Sequence, residues 1–374
     1  MFHGYSMNDI IKEKPEIKNE LNGFVWYPNT LSVSTITSSS ISAILGGHNY
    51  TPDKLNLDST RTIREKITEV TENFKNKIQD KGYHFTSTSM IYSTIDKNLY
   101  DTYLPKWHKN WDQWNKKLNI GYSSEIGYKI LWENALFYSA PLFVKAKIYN
   151  KGNWFHGNIP INDNTNKAKP YNFLRLLPLI SNTNNDKPNF IYIHSMASHH
   201  PWDLIDDKGN MHSNVSPYEN NKWVLNTLIK WIDWMKENDV YDNTKIVILS
   251  DHGPHWSFHE GGIDIDVPLI KNSSLKIWEG LALCMNPLML VKDFNSLDTL
   301  KLDWRFMSNA DAYGIVFNEN DITKKPPIKD RILISTHPKW VTKIGEEYKF
   351  QVLYSYSVKN NYFDMNNWTP IFEK

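Results

Sequence analysis

Four consecutive residues, Ser250-Asp251-His252-Gly253, follow an apolar, β-branched run at residues 245–249. A strand here would deliver a carboxylate and an imidazole side by side into a loop, and the glycine would let the backbone turn. Carboxylate oxygens and imidazole nitrogens are good ligands for zinc or manganese. The sequence therefore predicts that Asp251 and His252 bind a divalent metal ion. Two more histidines follow within eight positions of His252: His255 and His259.

A second apolar run, at residues 190–193, leads into a histidine-rich turn, Ser198-His199-His200-Pro201. His199 is a candidate for hydrogen bonding to a substrate anion or to a leaving-group oxygen. For His200, and for His194 earlier in the turn, the alternative is simple packing or solvation.

A third segment, residues 35–40, is rich in hydroxyl side chains and precedes an apolar run at 41–45 that ends at Gly46-Gly47. This pattern predicts a helix whose first turn carries hydroxyls and whose end is set by glycine. A helix N-terminus presents unbonded N–H groups and suits an oxyanion such as phosphate. The alternative is that Thr37 or Ser38 serves only as an N-cap.

Strands and helices that would position these residues alternate along the chain. The strand-like runs are residues 24–27, 190–193, 245–249 and 288–291, the helical patterns are 63–78, 126–144 and 223–235, and the tail at 351–358 alternates like an edge strand. Continuous apolar runs are typical of strands buried on both faces. The fold class predicted is α/β, with a central mixed, mostly parallel sheet flanked by helices. In such sheets, ligands bind where loops leave the carboxyl ends of strands.

Composition narrows the possible functions. The chain has 374 residues, a net charge of +1 and 22% charged residues, which indicates a globular protein and no nucleic-acid partner. Its one cysteine, Cys284, excludes an internal disulfide and is predicted to be a buried, inert thiol. No run approaches the roughly 20 apolar residues of a membrane span, and residues 1–20 lack the apolar segment of a secretory signal.

The Thr37 segment resembles the nucleophile segment of the alkaline phosphatase/sulfatase superfamily. Sulfatases carry Cys-x-Pro-Ser-Arg before a short apolar helix that ends in glycine. Counting back from Gly47 aligns the nucleophile with Thr37 and the motif serine with Ser40, and it puts Ile41 where sulfatases have arginine.

Two other segments extend the resemblance. Ser-Asp-His-Gly is similar to the metal motif of the superfamily, and His259 falls where many members have a further histidine. The run His199-His200-Pro201 resembles the His-x-Pro segment of lipoteichoic acid synthase and its relatives. The branch that the chain is most similar to is the membrane-anchored, sulfatase-like one, which includes phosphoglycerol and phosphoethanolamine transferases.

The resemblance implies a single sulfatase-like catalytic domain, residues 1–374, in which residues 320–374 form a strand-rich extension. It implies a metal-dependent phosphotransferase with Thr37 as nucleophile and metal ligand, His199 as a second catalytic residue, and Ser40, His200 and His259 as substrate-binding residues. One divalent ion is expected, zinc or manganese before magnesium. The implied donor is a phospholipid head group, and the acceptor is a glycan or lipid at the extracytoplasmic face of the inner membrane.

Two departures qualify the resemblance. Sulfatases oxidise a cysteine or serine to formylglycine, which threonine cannot form, so Thr37 favours phosphoryl over sulfate chemistry. The family's first strand normally ends in an acidic metal ligand just before a segment like residues 1–5. We therefore expect an N-terminally truncated chain that lacks that strand and any membrane segment and is weakly active or inactive. Asp9 and Glu20 are nearby acids, but nothing assigns either as a replacement.

Other functions stay open. Water, rather than an acceptor hydroxyl, could resolve a phosphothreonine intermediate on Thr37, which would make the enzyme a phosphodiesterase or sulfatase-like hydrolase. Trp107, Trp111 and Trp114 lie at helical spacing and could form a glycan-stacking face, as in an inactive, glycan-binding remnant. At that spacing, the alternative is a buried stripe in the core.

Overall fold

The computed structural model describes residues 2, 4–88, 102–103, 132, 135–149, 163–183, 186–253, 284–318, 330–336, 347–350 and 352–373. The helices are α1 (Gly4–Glu13), α2 (Ile17–Glu20), α3 (Thr37–Gly46), α4 (Pro52–Leu55), α5 (Ile63–Asp80), α6 (Leu142–Tyr149), α7 (Asp163–Ile180), α8 (Pro217–Glu237) and α9 (Asp311–Phe317). The strands are β1 (Phe24–Trp26), β2 (Thr30–Leu31), β3 (His84–Ser87), β4 (Thr102–Tyr103), β5 (Asn189–Tyr192), β6 (Asp203–Ile205), β7 (Met211–Ser213), β8 (Ile246–Leu249), β9 (Met289–Lys292), β10 (Lys301–Leu302), β11 (Met307–Ser308), β12 (Asp330–Thr336), β13 (Val352–Lys359) and β14 (Trp368–Glu373).

Two sheets carry the segments that the sequence singles out. The first has the strand order β10-β1-β9-β8, in which β1 is parallel to β10 and β9 is antiparallel to both β1 and β8. The second has the order β4-β3-β5 and is parallel throughout. The predicted α/β class with a mixed sheet and flanking helices is confirmed.

Strand β8, which leads into the Asp251–His252 motif, lies between two hydrophobic clusters. Ile246 and Ile248 pack against a cluster built largely from α1, α7 and α8, whereas Val247 and Leu249 pack against one on the opposite face. Because successive side chains of a strand point to opposite faces, a continuous apolar run supplies both clusters. The motif therefore leaves the sheet from a strand fixed on both sides.

Helix α3, which carries the hydroxyl-rich segment, packs on α5. Ile41 and Leu45 of α3 join Val70, Phe74 and Ile78 of α5 in one cluster. These positions recur at helical spacing, so each helix buries one stripe against the other. Ile41, at the position of the sulfatase arginine, is therefore a core residue. As predicted, α3 ends at glycine, with Gly47 at a φ of 74° that favours this residue.

Two long helices form where periodicity predicts them. The 63–78 pattern becomes α5 and the 223–235 pattern lies within α8, and each helix begins with a capping box, Thr62 with Glu65 and Ser216 with Glu219. The 126–144 pattern is described only from residue 135 on, apart from residue 132. There the helix breaks at Ala140–Pro141 and resumes as α6, because proline disfavours helical geometry in the residue before it.

The tail forms a strand, but its predicted place at a sheet edge is wrong. Strand β13 lies in the middle of a three-stranded sheet and pairs antiparallel with β12 and β14. Alternation of apolar and polar residues indicates a strand with one buried and one solvent-exposed face, and a central strand of an antiparallel sheet shows the same pattern. Asn29, just before β2, donates to the carbonyl of Asn360 and so ties this sheet to the rest of the molecule.

None of the helices that the structure describes is long and apolar enough to cross a lipid bilayer.

Candidate active site

The hydroxyl of Thr37 stands at the start of α3 and is not a cap. The N-cap residue is Ile36, whose backbone is extended and whose side chain makes no capping hydrogen bond. Thr37 is thus the first helical residue, and its Oγ1 lies 3.4 Å from Nε2 of His252. The N–H groups of this first turn have no partner within the helix, as at any helix start. The interpretation of Thr37 as an N-cap is wrong.

Buried serine hydroxyls stabilise the turn before α3. Ser34 Oγ and Ser39 Oγ lie 2.5 Å apart, and Ser39 Oγ also lies 3.2 Å from the carbonyl of Ile36. Ser40, which is fully buried, donates to the carbonyl of Ser34 at 3.2 Å. The contact described for Ser40 therefore belongs to the turn, and its role in substrate binding stays a prediction.

The imidazole of His252 is oriented by the backbone. Its Nδ1 lies 2.6 Å from the carbonyl oxygen of Gly253, which can only accept, so Nδ1 carries the proton. In the neutral ring, Nε2 then presents a lone pair toward Thr37 Oγ1. The Oδ2 atom of Asp251 lies 3.5 Å from the same Nε2. A metal-binding histidine typically has its other nitrogen fixed in this way.

Burial and charge set the protonation of the pair. Burial alone would raise the pKa of Asp251, but the electrostatic effects of His252 and His194 and a hydrogen bond from Thr37 lower it below its usual range. Burial lowers the pKa of His252, against the opposing effect of the Asp251 charge. An ionised carboxylate beside a neutral imidazole is the state in which both groups can bind a cation.

Two separations at this site fit the ligands of one metal ion. The distances of 3.4 and 3.5 Å from His252 Nε2 to Thr37 Oγ1 and Asp251 Oδ2 exceed those of good hydrogen bonds. Ligands of a tetrahedral ion with bonds of about 2.0–2.1 Å lie about 3.3 Å from one another. Among the residues that the structure describes, no group of three or more His, Cys, Asp or Glu side chains could hold a metal. The third donor is instead a hydroxyl.

The histidine-rich turn after β5 reaches the same region. His194 is close enough to Asp251 for the carboxylate to raise its pKa, although burial lowers that pKa overall. His199 acts electrostatically on both His194 and His252. Its Nδ1 lies 2.5 Å from the carbonyl of His200 and so carries the proton. The ring of His200 contacts that of Trp202, at a centroid distance of 5.1 Å.

For His194, the sequence analysis gave packing or solvation as the alternative, and its position near Asp251 was not predicted. It lies two residues after β5, as Asp251 lies two residues after β8, and this shared position is the signal that could identify it. His259 and the Trp107, Trp111 and Trp114 stripe lie outside the described residues.

The structure also describes three other residues that the sequence analysis named: Asp9, Glu20 and Cys284. Asp9 and Glu20 form ion pairs with Lys12 and Lys14, so both acids have a partner away from the site. Cys284 is buried as predicted, and burial raises the pKa of its thiol. Its sulfur lies 3.7 Å from the carbonyl oxygens of Thr35 and Gly253, directly behind the two motifs.

A hydroxyl at a helix start, opposed by a carboxylate and an imidazole beyond the end of a strand, suits metal-assisted attack on an ester in an α/β enzyme. The family model of the sulfatases matches residues 2–270, which is most of the chain. The chain therefore belongs to the sulfatase family, and its fold is that of the alkaline phosphatase/sulfatase superfamily.

Individual relatives are more distant. An arylsulfatase of Hemicentrotus pulcherrimus is 30% identical over 99 residues, which span 26% of this chain and 17% of that protein. A protein of the alkaline phosphatase superfamily from Vibrio parahaemolyticus has a TM-score of 0.49 at 12% identity, over 100% of this chain and 80% of that one. A lipoteichoic acid synthase from Listeria monocytogenes has a TM-score of 0.42 at 11% identity, over 96% of this chain and 80% of that one.

Proposed function

We propose that this sulfatase-family chain is a metal-dependent enzyme of phosphoryl transfer, with Thr37 as the nucleophile. The observation that carries the proposal is the separation of His252 Nε2 from Thr37 Oγ1, 3.4 Å, and from Asp251 Oδ2, 3.5 Å, which suits ligands around one ion. Membership of the sulfatase family supports ester chemistry in general.

Thr37, Asp251 and His252 would hold the cation. Zinc or manganese suits this mixed oxygen and nitrogen set best, and magnesium is the third candidate. When bound, a divalent ion lowers the pKa of a hydroxyl that it coordinates and offsets negative charge on a phosphate. Asp251 brings the negative charge that favours any cation here, and Gly253 fixes the ring of His252 so that Nε2 faces inward.

The residues of the chain divide the remaining work. The hydroxyl of Thr37 gives its proton to solvent, and its Oγ1 forms a bond to phosphorus while the bond from phosphorus to the leaving oxygen breaks. The N–H groups at the start of α3 stabilise the charge that develops on the phosphoryl oxygens. His199, protonated on both ring nitrogens, gives its Nε2 proton to the leaving oxygen. An acceptor hydroxyl or water then attacks the phosphothreonine and gives its proton to His199, and the released oxygen of Thr37 takes a proton from solvent.

A threonine at position 37 favours phosphate over sulfate esters, since it cannot be oxidised to formylglycine. If the enzyme is a transferase, the proposed donor is a phospholipid head group and the proposed acceptor is a glycan or lipid. Both proposals rest on the resemblance to the membrane-anchored branch. The same resemblance is the basis for proposing a place at the cell envelope. Hydrolysis is the second candidate, supported by the family match and by the arylsulfatase relative.

Substrate competition would test the proposal. Purified protein with zinc or manganese would be offered p-nitrophenyl phosphate, bis-p-nitrophenyl phosphate and p-nitrophenyl sulfate. We expect release from a phosphate ester, little from the sulfate, and a phosphoryl adduct on Thr37 in peptides of quenched reactions. Preferred cleavage of the sulfate ester by a chain that forms no adduct on Thr37 would refute it. Adding glycerol or a glycan would then separate transfer from hydrolysis by the products formed.

A further inference from the structure

A buried asparagine links the two halves of the candidate site. Asn309 directly follows β11, which pairs in parallel with β2 so that Ser308 lies beside Leu31. This register places Asn309 beside Ser32, and its N–H donates to the carbonyl of Leu31 at 3.2 Å. Asn309 is completely buried. Its side chain therefore lies in the interior, against the segment that leads to Thr37.

The carboxamide of Asn309 uses both of its ends. Oδ1 accepts a hydrogen bond from the N–H of Val33 at 3.1 Å. Nδ2 donates to the carbonyl oxygen of Asp251 at 2.7 Å and to Ser32 Oγ at 3.1 Å. A backbone N–H only donates and a carbonyl only accepts, so the orientation of the amide is fixed by its partners. An aspartate of the same shape keeps the acceptor and loses both donors.

Ser32 extends this link. Its Oγ lies 2.7 Å from the carbonyl of Asp251 and 2.6 Å from that of Ser34. A single hydroxyl proton serves one of these carbonyls at a time, so the amide of Asn309 is the constant donor to Asp251. Two short segments, residues 32–34 and the turn at Asp251, thus share one hydrogen-bond network.

We infer that Asn309 is a positioning residue, whose carboxamide sets the separation between Thr37 and the Asp251–His252 pair. The inference rests on the proposed function, because it assigns the network a purpose only if these groups bind one ion. The reach is short: residue 33 is four positions before Thr37, and the carbonyl of Asp251 is one peptide from His252. Partners that orient metal ligands in this way typically change metal affinity by about 10–100-fold when they are lost.

Asn286 offers a matched control for this effect. It is also buried, and its Nδ2 donates to the carbonyls of Pro28 and Thr30, both at 2.9 Å. These carbonyls lie in the same connection as Ser32 but before it, and none of its hydrogen bonds reaches Asp251. An Asn286→Asp substitution therefore removes two donors from buried backbone carbonyls without touching the link between the two motifs.

The test compares metal binding by the full chain in three forms: wild type, Asn309→Asp and Asn286→Asp. Affinity for zinc chloride would be measured by calorimetry, and the thermal midpoint would report the structural cost. We expect both variants to lose stability, but only Asn309→Asp to bind zinc about 10–100-fold more weakly. Equal affinities in the two variants would overturn the inference.

Two further outcomes are decisive. A wild-type chain that binds neither zinc nor manganese refutes the proposed function together with the inference, whereas tight binding that Asn309→Asp leaves unchanged refutes the inference alone. If Asn309→Asp does not fold, Asn309→Ala takes its place, because it removes both ends of the carboxamide without adding a charge. We expect about a tenfold weaker affinity from that change, and an unchanged affinity would overturn the inference.

Discussion

Replacing Thr37 by valine separates the effect on catalysis from the effect on folding stability, because valine keeps the shape of threonine and exchanges the hydroxyl for a methyl group. The hydroxyl donates to the carboxylate of Asp251 and lies 3.4 Å from Nε2 of His252, beyond a good hydrogen bond. A hydrogen bond to a charged group contributes about 1.5–3 kcal/mol to folding. Thr37 is half-buried, so a methyl group there adds no severe steric penalty. We expect the free energy of unfolding to fall by about 1.5–3 kcal/mol.

The effect on catalysis should be larger. Without an oxygen at this position, no bond to phosphorus can form through residue 37, and one of the proposed ion ligands is lost as well. We expect kcat/KM to fall at least about 1,000-fold, which corresponds to about 4 kcal/mol at 1.36 kcal/mol per factor of ten. The catalytic loss thus exceeds the loss of stability.

The assay is metal-dependent release of p-nitrophenol from a phosphate ester, with urea unfolding measured on the same samples. Thr37→Ser keeps the hydroxyl and should retain activity within about tenfold of wild type. Thr71→Val is the matched control, because Thr71 is a buried threonine of α5 whose hydroxyl bonds to the carbonyl of Ile67 at 2.8 Å, away from the site. A Thr37→Val variant that keeps a tenth or more of wild-type kcat/KM would refute the reasoning.

Three further predictions follow from single contacts. Asp251→Asn removes the one carboxylate among the donors and should weaken zinc affinity by more than about 100-fold in calorimetry, beyond the loss from any supporting residue; unchanged affinity would count against the site. Gly4→Ala would bring a Cβ into a clash with Oδ1 of Asn286, so we expect about 1–3 kcal/mol of destabilisation in urea unfolding, and an unchanged stability would contradict this prediction. Burial raises the pKa of Tyr171 to about 12, against about 10 in the unfolded chain. Its neutral form therefore stabilises the fold below pH 10, and this contribution, up to about 3 kcal/mol, is lost as the pH rises through 12. Tyr171→Phe should remove that part of the alkaline loss, and an identical pH profile would contradict this assignment.

Local sequence patterns predicted the strands and helices whose apolar side chains recur at a regular spacing. An apolar run at 245–249 indicates a strand buried on both faces, and the observed strand Ile246–Leu249 supplies two clusters. Periodic apolar residues at 63–78 indicate a helix, and α5 buries that stripe. These elements can be predicted from the local sequence alone, because the pattern does not depend on which apolar surface they pack against.

Features that depend on distant pairing could not be predicted in this way. Strands β2 and β11 are two residues long and carry no periodic signal, yet their pairing places Asn309 beside Ser32. The tail strand β13 shows the alternation of any half-open strand, and only its partners make it central. Residues 37 and 252 lie 215 positions apart in the sequence, so the motifs could suggest that they converge but could not give the distance between them.

The most direct test of the account is a crystal grown with zinc and measured at the zinc absorption edge. The account predicts one anomalous peak, bonded at about 2.0–2.2 Å to Thr37 Oγ1, to a carboxylate oxygen of Asp251 and to Nε2 of His252. A zinc peak that touches none of these three atoms, in crystals of an active protein, would contradict it.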